Sequence, residues 1–166
     1  MITRSVGHPI TINGMPTGCV AGGGYSGITD ELDATVQRAA ELLAAEFGLP
    51  VEIRFNSDRR SGGAFVRGPE VAGHRGHPDF GIGARVPPSP EEAAAWQARM
   101  RETIPDWTPE TRLVDTLIDA PLCRCPSLCT EGLPEGRYAF RWHDTVEEAL
   151  EFLKLHVARE ALTGAS

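Results

Sequence analysis

One stretch of this chain limits its possible folds more than any other: an amphipathic helix that halts on glycine and proline and runs into an alternating strand. Leu32, Val36, Ala39, Leu43 and Phe47 recur at helical spacing, so Asp30 to Phe47 reads as a helix with one apolar stripe. Thr29 can cap its start, acids fill its first turn, and Gly48 and Pro50 end it. Val51, Ile53 and Phe55 then alternate, as one face of a strand does. A stripe and a face of this kind bury each other only when the helix lies on a sheet.

The rest of the chain extends that pattern. Ser89-Pro90-Glu91-Glu92 is a helix start with a serine cap and proline at the first helical position; Trp96, Met100 and Ile104 form its apolar line and Pro105 ends it. Thr108-Pro109-Glu110 repeats the signature and predicts another helix, with Leu113, Val114, Leu117 and Ile118 toward the core and Pro121 as the stop. Asp144-Thr145-Val146-Glu147 reads as a capping box for a last helix that buries Val146, Leu150, Leu153 and Val157. Short strands are expected at Ile10–Ile12 and Cys19–Ala21 around an Asn13-Gly14 turn, at Ala64–Val66, at Phe80–Ile82 and at Arg137–Trp142. Trp96, Trp107, Tyr138, Phe140 and Trp142 occupy helical or alternating positions and read as core rather than as a stacking platform.

These elements predict an α+β fold: a small mixed or antiparallel sheet with about four helices packed mainly on one face. A length of 166 residues suits a single domain over 1–166. It would carry a long Gly/Pro-rich loop near 56–89 and a Cys-rich loop near 121–136.

Charge narrows the partners. The net charge is −7, yet Val51 to Pro88 holds six arginines against four acids, so a mildly basic centre sits in an acidic body. Nucleic acid and anionic membrane are disfavoured by long-range repulsion. The acids Asp30, Glu31, Asp33, Glu41 and Glu46 make a solvated helix face that suits a basic protein partner. The first residues lack a secretory pattern, and no apolar run reaches the roughly 20 residues a membrane span needs, so the chain is expected in the cytoplasm. Cysteines there are thiols, metal ligands or redox groups rather than structural disulfides.

Three of the four cysteines, Cys123, Cys125 and Cys129, fall within seven residues. Thiolates so close can wrap one zinc ion, with Cys19 or a histidine among His74, His77 and His143 as the fourth ligand. The spacing is not that of a standard finger, and a Cys123–Cys129 redox pair, an iron–sulfur role or plain buried thiols are the alternatives. Cys19, ahead of a helix start, is also a possible nucleophile.

His74-Arg75-Gly76-His77-Pro78-Asp79 offers a second site. His74, His77 and Asp79 are catalytic candidates as metal ligands or acid and base, with Arg59, Arg60 and Arg75 to hold an anion; an exposed polar loop is the simpler reading. Gly22-Gly23-Gly24-Tyr25-Ser26-Gly27 matches G-x-G-x-x-G, with Gly22, Gly24 and Gly27 as the anion-binding glycines, but Asp30 and Glu31 would repel phosphate. Together the features point to a small interaction protein stapled by zinc. A hydrolase or transferase for an anionic small molecule, working through 56–89, is the alternative, and a redox or iron–sulfur protein the third.

Overall fold

A computed structural model describes residues 1–6, 9–12, 15–20, 27–69, 78–124 and 138–163. The chain opens with a strand, β1 (Ile2–Val6), that its mixed composition does not announce. A hairpin follows, β2 (Pro9–Ile12) with β3 (Met15–Val20), in which Ile12 pairs with Met15 as the expected two-residue turn requires; Asn13 and Gly14 themselves lie outside the described residues. Helix α1 (Asp30–Phe47) then crosses to β4 (Val51–Phe55), which runs parallel to β1. Strands β5 (Ser61–Arg67), β6 (Asp79–Arg85), β7 (Val114–Asp119) and β8 (Tyr138–His143) continue as antiparallel neighbours. The result is a six-stranded mixed sheet in the order β1-β4-β5-β6-β7-β8.

The 56–89 stretch is therefore less irregular than its glycine content suggests. The expected triplets are the middles of two seven-residue strands paired from Ser61–Arg85 to Arg67–Asp79. Residues 70–77 between them lie outside the described region.

Two expected helices change. The segment 108–121 forms no α-helix; most of its apolar part is strand β7, and only its last two residues enter a 3-10 turn, Ala120–Leu122. Val114, Thr116 and Ile118 alternate to one side and are buried, while Leu117 faces the other side and is half-buried. Apolar residues on both faces of a strand imitate helical spacing, and β-branching at alternate positions is the signal that favours the strand. Glu110, which mimics the acid of a capping box, instead accepts from the backbone N–H and Nε of Arg112 at 3.0 and 2.6 Å. That guanidinium holds its carboxyl down at about 2. In helix α3 (Val146–His156) the cap shifts by one residue: Thr145 accepts from the Glu148 N–H at 3.1 Å, and Glu148 reaches back to the Asp144 N–H. Glu147, freed of the capping role, pairs with Arg38 of α1.

Helices α1 and α3 pack on the sheet and on each other. Leu32, Val36, Ala39 and Leu43 of α1 and Val146, Ala149, Phe152 and Leu153 of α3 join Ile53, Val66, Phe80, Ile82 and Ile118 in one core. Each such large side chain gains roughly 1.5–3 kcal/mol by leaving water. Phe47 meets Phe80 edge-on at 4.8 Å.

Helix α2 (Pro90–Arg101) begins as expected, with Ser89 accepting from the Glu92 N–H at 3.1 Å, but it buries no residue. Of its expected apolar line, Trp96 and Met100 are exposed, as is Ile104 beyond the helix end, which corrects the reading of Trp96 as core. A short helix α4 (Arg159–Leu162) ends the described chain.

Candidate binding site on the second face of the sheet

Strand alternation sends every second side chain to the face opposite α1 and α3. There Arg54 on β4, Phe65 on β5, Asp79 and Arg85 on β6, Asp115 and Leu117 on β7, and Tyr138, Phe140 and Trp142 on β8 line a groove of about 650 Å³. The three β8 aromatics, expected in the core, are half-buried groove walls instead. Their alternation foretold a common face but not which of the two faces meets the helices.

Glycine makes the groove deep. Gly81 and Gly83 face it from the central strand β6, and a Cβ on Gly83 would stand only 2.6 Å from a carboxylate oxygen of Asp115. On Gly81 it would stand 2.6 Å from the Phe65 ring. The missing side chains let Phe65 and Asp115 lie low over the backbone.

Most of the charge here is already engaged. Arg54 stacks on Phe65, 4.1 Å from the ring centre, and donates to Asp79 at 2.8 Å. The Asp79 N–H donates to Asp119 at 3.0 Å. Arg85 stacks on Trp142 at 4.4 Å while its donors go to the carbonyls of Glu110 and Arg112 at 2.5 and 2.9 Å. Asp115 differs: it lies between Gly83 and Trp142 in register, and its carboxylate has no hydrogen bond or ion pair among the described residues. Burial pushes its carboxyl up to about 6, against the opposing pull of Arg85. The sequence signal for this site is faint. It consists of alternate glycines in β6 facing an aspartate and a run of alternating aromatics.

The sites expected from sequence are distributed otherwise. Cys123 is half-buried and bridges to Val157 at the end of α3. Cys125 and Cys129 lie outside the described residues, and Cys19 is placed only by its backbone in β3. His143 is buried beside Phe152, with Nε2 2.9 Å from the Thr116 hydroxyl, and burial lowers its pKa. It pairs with Val114 at the start of β7, whereas Cys123 follows the end of that strand. Among the described residues no group of three metal-ligating side chains comes together.

His74, His77 and Arg75 lie outside the described residues. Asp79, beside that segment, is tied to Arg54 at the groove rim. Gly22 and Gly24 are also outside the described region; Gly27 has a left-handed backbone, φ 89°, beside Arg59. Arg60 is paired with Glu92 at 2.5 Å, which ties the β4–β5 turn to α2. At the start of α1 the Thr29 hydroxyl accepts the Leu32 N–H, and Asp33 is paired with Arg4. A second cavity, about 440 Å³, lies between the first turns of α1 and α3, edged by Glu31 and Asp144. Caps and acids at both helix starts leave that cavity poorly suited to an anion.

No helix among the described residues is long and apolar enough to cross a membrane. Comparison with family models, with curated proteins and with solved structures finds no match to this chain.

Proposed function

We propose that this chain is a cytoplasmic binding protein whose glycine-floored, aromatic-walled sheet face receives a basic segment of a protein partner. The observation that carries the reading is the groove itself: four aromatic side chains on a face that α1 and α3 do not use. Aromatic-rich concave surfaces suit recognition, because rigid rings contribute contact area at little entropic cost. The acidic balance, −7 overall, favours a basic occupant over nucleic acid. Trp96 of α2 flanks a smaller recess that shares Ser61 and Arg85 with the groove, so the exposed apolar line of α2 adjoins the same surface.

Under this reading the helices on the sheet are scaffold, gathered mainly on one face, and the Cys-rich segment is a staple. Cys123, which bridges to Val157, would hold zinc together with Cys125 and Cys129. Elemental analysis should find zinc in the purified protein, and Cys125→Ser should release it and lower the melting temperature; metal-free protein with an unchanged melt would remove the staple.

The partner test compares wild type with a Phe140→Ala/Trp142→Ala variant as bait at low and high salt. A basic protein held by wild type, lost by the variant and released by salt, with its basic segment then binding as a synthetic peptide, is expected. Equal capture by both baits would end the reading.

A further inference from the structure

The Asp115 carboxylate lines the groove and takes no hydrogen bond from the described residues. Asp115, the second residue of β7, lies over a cleft floor of glycine, and neither cross-strand neighbour, Gly83 or Trp142, donates a side-chain hydrogen bond to it. The nearby cation, Arg85, spends its hydrogen bonds on the carbonyls of Glu110 and Arg112. A carboxylate held this way carries a desolvation cost that a cation from outside would offset.

The rings indicate which cation. Within this groove two guanidinium groups already lie over aromatic faces, Arg54 on Phe65 and Arg85 on Trp142. A planar cation can stack while its fork of N–H donors meets both oxygens of a carboxylate, which an ammonium cannot do. We infer that Asp115 is the seat for an arginine side chain of the partner, its guanidinium forked onto the carboxylate beside the Phe140 and Trp142 rings. The inference rests on the groove being the recognition surface and adds the residue type that enters it.

The seat makes binding pH-sensitive. The charged and titratable groups lining the groove with it are Arg54 on β4, Asp79 and Arg85 on β6, Asp119 on β7 and Tyr138 on β8, with Glu52 on β4 and Arg67 on β5 farther along the same face. Of these, Arg85 acts on Asp115 directly, and burial outweighs it. Protonation as pH falls through about 6 therefore removes the charge that the guanidinium needs.

The test uses N-acetyl-arginine methylamide as the probe, followed by amide NMR on the full chain. The neutral citrulline analogue and N-acetyl-lysine methylamide are run as controls. Saturable shifts at Gly83, Asp115 and Trp142 are expected, weakened about tenfold or more by Asp115→Asn, by acidification below the Asp115 pKa, and by the loss of charge in citrulline. Binding that ignores Asp115→Asn and pH, or a lysine probe that binds equally well, overturns the arginine seat. The pH arm is run on wild type, so the test survives a variant that folds poorly. If Asp115→Asn leaves the partner bound while Phe140→Ala/Trp142→Ala releases it, the seat fails and the groove stands; a partner indifferent to both sets of changes fails the groove itself.

Discussion

The two faces of the sheet use the same strands in opposite ways. On the helix-covered face Ile53, Val66, Phe80, Ile82 and Ile118 are sealed beneath α1 and α3, and charge is nearly excluded. On the groove face the same strands present arginines, aspartates, aromatics and bare glycine. The polar groups admitted to the covered face, Thr116 and His143, satisfy each other at 2.9 Å. On the groove face Asp115 has no such mate among the described residues. The covered face thus pairs the buried polar groups it admits, while the other keeps a group that folding alone disfavours. Such a local cost is what a binding surface carries when its complement comes from another molecule.

Substitutions on either face can break that contrast. Phe80→Ala on the covered face should cost about 3–5 kcal/mol in denaturant unfolding, since it empties a fully buried site. Phe140→Ala on the groove face should cost about 1 kcal/mol or less, as its ring is only half-buried; comparable losses would mean that both faces are core. Gly81→Ala should cost about 1–3 kcal/mol, because the new methyl would collide with Phe65 and with the Ala64 carbonyl.

Asp115→Asn should act in the opposite direction. A carboxyl whose pKa rises from 3.8 unfolded to about 6 folded makes the protein less stable wherever the group is ionised. The cost is fully present above the folded pKa and vanishes as pH falls below the unfolded one. The asparagine variant should therefore gain about 1–3 kcal/mol at neutral to alkaline pH and nothing in acid. Melting curves across that range check it, and a variant that is less stable at every pH would show that Asp115 has an internal mate.

Much of the fold was legible because its signals are local. Thr29, Ser89, Gly48, Pro50 and Pro90 act on backbone groups within a turn of themselves, so α1 and α2 begin where these residues place them. The same locality explains the error at 108–121, where Thr108-Pro109-Glu110 carries a helix start but pairing with β6 and β8 makes a strand. Strand β1 was invisible for a related reason: Ile2–Val6 owes its conformation to β4, some fifty residues later.

The amino-acid sequence by itself determined the helix stripes, the caps, the alternating faces of β4 and β8 and the acidic balance, each a matter of spacing or count. Only tertiary structure decided which alternate face the helices cover. Burial depends on partners brought from distant parts of the chain, and a period of two marks both faces equally. That choice turned the β8 aromatics from expected core into groove and set Asp115, unremarkable in sequence, between a glycine and a tryptophan.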